Sequence, residues 1–211
     1  MSLGYNQPLY LLPFDHRHSY VTGMFHAAPP LTMDQRQAVI DSKWVIYDGF
    51  RQALLRGVPS DFAGILVDEE FGADILLDAS RNGYVTALST EKSGSDEFEF
   101  QYGDAFAQHI EMFQPTFAKA LVRFNPEGAA ALNERQTTRL RLLSEYCRAA
   151  GQKFMFEHQC RPDVSIPFER CRTPESSLIY GRSKGSRVAM TASESSKRHD
   201  VMAAMKSAAL Y

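Results

Sequence analysis

The sequence predicts an α/β fold in which strands and helices alternate along the chain and the strands form a parallel sheet. Short apolar runs of strand length recur five times before residue 157, and segments of helical character separate them. The composition is that of a soluble globular domain, since 44% of the 211 residues are hydrophobic and 23% are charged. A net charge of -2 favours neither nucleic acid nor a membrane surface as a partner.

The first strand and the first helix are predicted from two separate patterns. Residues 9–14 form an apolar run that closes on a polar segment at 15–19, which is typical of a buried parallel strand. Thr32 and Gln35 have the spacing of a capping box, and apolar side chains then recur at helical spacing up to Gly57. A long helix is therefore predicted between Thr32 and Gly57.

Two further rounds repeat the order of strand, charged residues and helix. Residues 63–67 are apolar and end in three acidic residues, before a short helix predicted at 73–81. A third strand is predicted at 85–90, and a polar loop then leads to a helix predicted at 104–113. The repetition indicates one continuous parallel sheet.

The fourth strand, residues 117–124, carries two cations inside an apolar run. Alternation puts Lys119, Leu121 and Arg123 on one face and apolar side chains on the other. One interpretation buries the amine of Lys119 in a pocket, where desolvation and Arg123 favour the neutral form that attacks a carbonyl. The other packs its stem on apolar surface while its charged head reaches water.

The fourth helix and the fifth strand complete the regular part of the chain. Residues 133–150 have helical periodicity, and Gly151 is placed to end that helix. Residues 153–156 form a fifth apolar strand that ends at Glu157. Five rounds at roughly 31 residues each imply about 250 residues for eight rounds, which is the usual size of a TIM barrel. The chain lacks room for the three missing rounds, so a fold of this type would be an incomplete (β/α)8 TIM barrel of about five βα units.

The C-terminal segment, residues 159–211, departs from this pattern. It shows no comparable apolar strand and holds nine Ser, with nine Lys or Arg against five Asp or Glu. We therefore predict a partial barrel at 1–158 and an irregular polar tail at 159–211, disordered or read in a shifted frame, with a short helix at 200–210. No signal peptide is predicted and the three cysteines form no CxxC pair, which favours a cytoplasmic location.

Charged side chains end or occupy every one of the five predicted strands. They are Asp15, then Asp68 with Glu69, Glu91 with Lys92, Lys119 with Arg123, and Glu157. The carboxyl ends of successive parallel strands meet at one edge, where enzymes of this class place their chemistry. Lysines among carboxylates suit imine or carbanion chemistry, because the carboxylates can move the protons. Solvated rim charges and ion pairs are the simpler interpretation.

Four longer segments resemble one known family. They are LYLLPFDHRHS, GILVDEEFG, EKSGSDEFEFQYGDAFAQHIE and FAKALVRFNPEG. The family is the aldolase-type TIM-barrel domain often joined to the sugar kinase of myo-inositol catabolism, and the resemblance covers about residues 4–157. ILVDEEFG and EKSG are also similar to segments of the class I tagatose bisphosphate aldolases.

The resemblance implies a lyase that cleaves a keto-sugar phosphate of the 2-deoxy-5-keto-gluconate 6-phosphate type by retro-aldol chemistry through a Schiff base. The catalytic positions that it implies are Asp15, Lys92, Lys119 and Glu157. The substrate-binding positions are Arg17, Asp68, Glu91 and Arg123, and the resemblance implies Lys92 with Arg17 or Arg123 as anion contacts. It implies no cofactor and no metal, a sugar kinase as a partner domain, and it allows an oligomer.

The resemblance ends where complete members would supply the imine-forming lysine on strand six. After Glu157, relatives continue with an apolar segment, whereas this chain reads His158-Gln159-Cys160-Arg161. The chain is therefore expected to be a truncated member that lacks this lysine. Two alternatives stay open, namely a metal-dependent lyase that uses His16 and His18 with Asp68 or Glu69, and a non-catalytic binding or regulatory fragment.

Overall fold

A computed structural model describes residues 5, 7–123, 128–159 and 187–189 of the chain. The described residues form an α/β fold around one sheet, in which five parallel strands follow one another in the order of the sequence. These strands are β1 (Tyr10–Pro13), β2 (Ala63–Val67), β3 (Val85–Ser89), β4 (Phe117–Arg123) and β5 (Lys153–Gln159). A sixth strand, β6 (Arg187–Ala189), pairs with β5 in the antiparallel direction.

Helices follow each of the first four strands along the chain. They are α1 (His18–Met24), α2 (Met33–Leu55), α3 (Glu69–Arg81), α4 (Phe106–Phe113) and α5 (Ala130–Ala150), with 3-10 turns at Ser60–Phe62 and Gly103–Ala105. The five predicted strands and the four predicted helices are therefore present in the predicted order, in an α/β fold with a parallel sheet. None of the helices in the described ranges has the length and hydropathy needed to cross a bilayer.

The ends of the two longest helices form as their sequences predict. The backbone N–H of Gln35 donates to the Thr32 hydroxyl at 3.2 Å, and the backbone N–H of Thr32 donates to the Gln35 side chain at 3.0 Å. This reciprocal capping box satisfies two donors at the start of α2. Helix α5 ends at Gly151, whose φ of +68° is a conformation that glycine adopts without a steric penalty.

Two elements differ from the predictions. Helix α1 was not predicted, because only Val21 of its seven residues is buried and its apolar periodicity is correspondingly weak. The segment 159–211, predicted to be an irregular tail, contributes the three-residue strand β6 and the last residue of β5, Gln159. Backbone pairing, which an apolar pattern does not reveal, forms these strand ends. The helix predicted at 200–210 falls outside the described residues.

The two faces of the sheet have different roles. The outer face packs on the helices through alternate side chains of the strands, such as Ile65 and Val67 of β2 and Ala118 and Val122 of β4. The inner face carries a smaller apolar cluster, which consists of Leu9, Leu66, Ala87, Phe117 and Met155. Lys119 has the same parity as Phe117 in β4, so it lies on the inner face, as alternation predicts.

The sheet curves strongly around this inner face. Three strand spacings of about 4.8 Å would separate β1 from β4 by roughly 14 Å in a flat sheet. Asp15, two residues after β1, nevertheless contacts Lys119 of β4 with an oxygen-to-nitrogen distance of 2.8 Å. The curvature brings the carboxyl ends of distant strands to one place.

Candidate functional site

The ammonium group of Lys119 lies among three carboxylates at the carboxyl edge of the sheet. Its Nζ is 2.8 Å from Asp15 Oδ2, 2.9 Å from Glu91 Oε1 and 2.9 Å from Glu157 Oε2. We call these four residues the Lys119 cluster. The Lys119 side chain is 2% exposed, whereas the three carboxylate side chains are 9–13% exposed. The cluster therefore reaches solvent mainly through its carboxylates.

Backbone pairing places each carboxylate of the cluster. The N–H of Phe14 donates to Leu66 O at 2.8 Å, which carries the β1–β2 pairing up to the residue before Asp15. The second oxygen of Glu91 accepts from the N–H of Leu121 at 3.2 Å. Glu157 lies opposite Leu121 in the β4–β5 register. The cluster is thus built on strands and their ends, which hold a constellation more rigidly than free loops do.

The carboxylates keep Lys119 protonated. Burial alone would lower the pKa of Lys119, but the charges of Asp15, Glu91 and Glu157 outweigh burial and raise that pKa well above its ordinary value of 10.5. Neither interpretation of Lys119 from the sequence holds, because the amine is neither neutral nor in water. Lys119 is a buried cation.

The same interaction acts on Asp15 in the opposite direction. Burial would raise the pKa of Asp15, but the charge of Lys119 and its hydrogen bond, with smaller effects from His16 and Arg17, lower it below its ordinary value of 3.8. Asp15 is therefore ionised at neutral pH. A carboxylate held beside a cation in this way accepts hydrogen bonds from ligand hydroxyl groups.

Arg17 extends the cluster on the side of Glu91. Its Nη1 donates to Gln101 Oε1 at 2.9 Å, and its Nη2 donates to the backbone carbonyl of Glu91 at 2.5 Å and lies 4.0 Å from Glu91 Oε1. Three carboxylates against the two cations Lys119 and Arg17 leave a net charge of -1 on the group.

The loop after β3 carries Lys92 and binds Arg123, and it places both outside the Lys119 cluster. Residues 90–101 fold back on themselves, with Lys92 N bonded to Glu99 O and Gln101 N bonded to Thr90 O. The Lys92 side chain is 57% exposed and lies 3.4 Å from Glu99. Arg123 Nη1 donates to Ser95 O at 2.6 Å. The side chains of these two predicted site residues therefore contact residues of the loop and not the carboxylates of the Lys119 cluster.

Asp68, a predicted substrate contact, is fully buried and contacts neither the cluster nor solvent. Its Oδ1 accepts from the N–H of Phe71 at 2.9 Å and so caps α3, while its Oδ2 pairs with Lys43. Lys43 Nζ also donates to Phe14 O at 2.9 Å. Asp68 therefore has a structural role in this arrangement, because Lys43 binds both Asp68 and Phe14 and so joins the starts of the loops after β1 and β2.

Sequence reasoning missed Lys43, although a signal for it exists. Lys43 follows Val39 by four residues and precedes Tyr47 by four, so it lies on the core face of α2, and it is 1% exposed. A lysine at such a position needs a buried partner, and Asp68 is the acid that α3 offers.

For the metal-dependent alternative, His18 contacts the loop after β3, whereas Asp68 is paired with Lys43. The backbone N–H of His18 donates to the Ser93 hydroxyl at 3.0 Å, and the His18 ring lies beside Gly94. Glu69 bonds instead to Nδ1 of His109 at 2.7 Å, and the His109 ring stacks on Tyr102. Within the described part of the chain, no three His, Cys, Asp or Glu groups are arranged to hold a metal ion.

Of the eight predicted site residues, the structure brings five together and separates three. Those brought together are Asp15, Arg17, Glu91, Lys119 and Glu157. Those separated are Asp68, Lys92 and Arg123. The five that meet combine a buried cation, three partly accessible carboxylates and a guanidinium, which is a set suited to binding hydroxyl groups and moving protons.

Comparison with known families gives one match. The profile of a family described as "Uncharacterized protein conserved in bacteria (DUF2090)" matches residues 5–168, a range that includes every residue of the Lys119 cluster and continues past the predicted boundary at 158. A search of curated proteins finds no match. Because the profile covers more than half of the 211 residues, the chain belongs to the DUF2090 family of bacterial proteins.

Proposed function

We propose that the Lys119 cluster is the acid–base part of a class I aldolase-like site that acts on a keto-sugar phosphate of the 2-deoxy-5-keto-gluconate 6-phosphate type. The observation that carries the proposal is the contact of one buried ammonium with carboxylates that follow or belong to three different strands at the carboxyl edge. The sequential order of the parallel strands and the curvature of the sheet support a (β/α)8 architecture for it.

The cluster suits the proton transfers of retro-aldol cleavage. A carboxylate removes the proton from the hydroxyl group β to the carbonyl, the bond between the α and β carbons breaks, and its electron pair moves toward the carbonyl or iminium group. Asp15 and Glu157 are the candidates for this base, because each is partly accessible and bonded to Lys119. The ammonium of Lys119 holds the carboxylates in place and stabilises negative charge that develops on the substrate oxygen.

The described lysines other than Lys119 do not supply the imine-forming amine. Lys43 is bound to Asp68, and Lys92 is exposed beside Glu99. Lys153 begins β5, at the edge of the sheet opposite to the cluster. The described residues thus carry the charge-stabilising part of the proposed site. Within this proposal, the family resemblance adds a sugar kinase as partner domain, and the cysteine pattern adds the cytoplasm as location.

Ligand binding and borohydride trapping test the proposal together. We expect 2-deoxy-5-keto-gluconate 6-phosphate to bind the chain, Glu157→Gln and Lys119→Met to weaken binding at least tenfold, and Lys92→Met to leave it unchanged. Borohydride reduction in the presence of this compound should leave Lys119 unmodified by mass spectrometry, because the amine is protonated. Binding that is insensitive to both cluster variants, or an adduct on Lys119, would contradict the assignment.

A non-catalytic binding role is the second candidate, and one observation favours it. No described lysine other than Lys119 approaches the cluster. Product analysis by NMR separates the two roles, since cleavage products identify a lyase. Binding that depends on Lys119 without any product would identify a sugar-phosphate-binding protein.

A further inference from the structure

Two buried polar groups beside the Lys119 cluster have no hydrogen-bond partner among the residues that the structure describes. They are the Nε–H of Arg17 and the hydroxyl of Ser89, and both residues are 5% exposed. The other two nitrogens of the Arg17 guanidinium are bonded to Gln101 and Glu91. A buried donor without a partner costs about 1–3 kcal/mol, and native structures hold few of them. Two such groups near one candidate site need an explanation.

The register of the sheet places both groups against the cluster. Ser89 is the direct β3 partner of Lys119 in the β3–β4 pairing. It precedes Glu91 by two residues, so both side chains start on the inner face. Arg17 follows Asp15 by two residues and lies 4.0 Å from Glu91 Oε1. Both residues that carry the unpartnered groups therefore lie directly beside members of the Lys119 cluster.

The chemistry of the two groups limits what can bind them. An arginine N–H can only donate a hydrogen bond, and a serine hydroxyl can donate one as well. The missing partner of the Arg17 Nε–H is thus an acceptor, to which the Ser89 hydroxyl can also donate, and oxygen is the acceptor that sugars and their derivatives offer. The carboxylates of the cluster need hydrogen-bond donors instead, because an ionised carboxylate can only accept hydrogen bonds. They are Asp15, Glu91 and Glu157.

The net charge of the cluster and Arg17 favours an uncharged oxygen acceptor over an anionic one. Three carboxylates against Lys119 and Arg17 leave a net negative charge, which repels a phosphate or carboxylate group at this distance. A carbonyl or hydroxyl oxygen carries no charge and meets no such repulsion. A compound with both hydroxyl donors and a carbonyl acceptor would satisfy the carboxylates and the unpartnered donors together.

We propose that Arg17 and Ser89 form a subsite that binds an uncharged carbonyl or hydroxyl oxygen of a polyhydroxylated ligand beside the Lys119 cluster. The subsite rests on the proposed function only in that the ligand is a keto sugar. It adds that the uncharged part of this ligand contacts the cluster, and that its phosphate binds elsewhere. Ser89 is then a specificity-determining residue outside the set that the family resemblance implies.

The test uses Ser89→Ala, which removes the hydroxyl and nothing else. Dihydroxyacetone is the uncharged probe and inorganic phosphate is the anionic probe, both titrated into the full chain and followed by NMR chemical shifts. We expect dihydroxyacetone to bind and Ser89→Ala to weaken its binding about tenfold, the size of one hydrogen bond. Ser60→Ala, a change in an exposed 3-10 turn, is the matched control and should leave binding unchanged.

Folding stability provides the second measurement. Deleting an unpartnered buried hydroxyl removes a desolvation cost, so Ser89→Ala should unfold at the same or higher temperature than the wild type. A lower unfolding temperature with unchanged dihydroxyacetone binding would mean that the hydroxyl has a structural partner such as a bound water. That result overturns the proposal, as does a failure of dihydroxyacetone to bind.

The probes also separate this subsite from the proposed function. If 2-deoxy-5-keto-gluconate 6-phosphate binds through Lys119 but is indifferent to Ser89→Ala, the subsite is wrong and the aldolase-like assignment stands. If dihydroxyacetone binding depends on Ser89 and the keto-sugar phosphate does not bind, the subsite stands and the assignment fails. Binding of inorganic phosphate that Ser89→Ala weakens would overturn the choice of an uncharged oxygen.

Discussion

The 2.8 Å contact between Lys119 and Asp15 joins the fourth parallel strand to the loop after the first. Two intervening strands separate these elements in the sheet. The contact therefore depends on the curvature of the sheet, and the same contact fixes the protonation of both groups. Substitutions at Lys119 and Asp15 therefore test the curvature of the sheet and the charge states of the two side chains together.

Removing the charge of Lys119 should destabilise the whole fold. Lys119→Met leaves three carboxylates at 9–13% exposure without their cation, and loss of one partner of a buried ion pair costs about 3–5 kcal/mol. Urea unfolding followed by circular dichroism measures this loss. Lys92→Met is the control, because an exposed pair contributes less than about 1 kcal/mol. Equal effects of the two substitutions would show that the cluster contributes no stability.

Asp15 should make the protein sensitive to acid. Its pKa in the folded chain lies below the ordinary value of 3.8, so the unfolded chain binds a proton more readily. The stability that Asp15 contributes is fully present above about pH 5 and is lost as pH falls through the lowered pKa. Urea midpoints measured from pH 2 to pH 7 should fall less steeply for Asp15→Asn than for the wild type. Parallel curves would refute the lowered pKa.

The strand order and the meeting of Asp15, Lys119 and Glu157 were predictable, because the carboxyl ends of parallel strands converge. Parity could also have separated Glu91 from Lys92, since neighbouring residues point to opposite faces of a strand. Glu91 shares the parity of Ser89 and points inward, and it bonds to Lys119. Lys92 has the other parity and is exposed.

Other features of the site depend on contacts between residues far apart in sequence, and no local pattern encodes them. The Asp68 carboxylate follows a strand, as a site residue would, yet Lys43 from α2 engages it. Arg123 lies on the predicted face, but its guanidinium bonds to the carbonyl of Ser95 in the loop after β3. The path of that loop decides the role of Arg123, and loop paths are set by tertiary contacts.

The buried pair of Lys43 and Asp68 should show strong coupling. Asp68→Asn keeps an N-cap side chain for α3 but leaves Lys43 buried without a negative partner, and Lys43→Met leaves the carboxylate alone. Each single change should cost about 3–5 kcal/mol of unfolding free energy. The double variant should lose clearly less than the sum, which a double-mutant cycle in urea measures. Additive losses would mean that the two charges do not interact.

Gln136 should hold the loop after β3 over the site. This residue is 0% exposed, and it accepts from the N–H of Phe98 at 2.8 Å and donates to the carbonyl of Arg123 at 3.0 Å. Gln136→Met fills similar volume but leaves both backbone groups unpaired, at about 1–3 kcal/mol for each buried group.

Hydrogen exchange measured by mass spectrometry should therefore speed up in residues 91–101 of Gln136→Met, while β2, on the far side of β3, keeps its protection. Gln37→Met is the matched control, because Gln37 is exposed and bonds along its own helix to Asp41. Since Glu91 begins this loop and binds Lys119, ligand binding should weaken in Gln136→Met as exchange accelerates. Faster exchange spread evenly over the protein would instead indicate global destabilisation, and the specific role of Gln136 would be wrong.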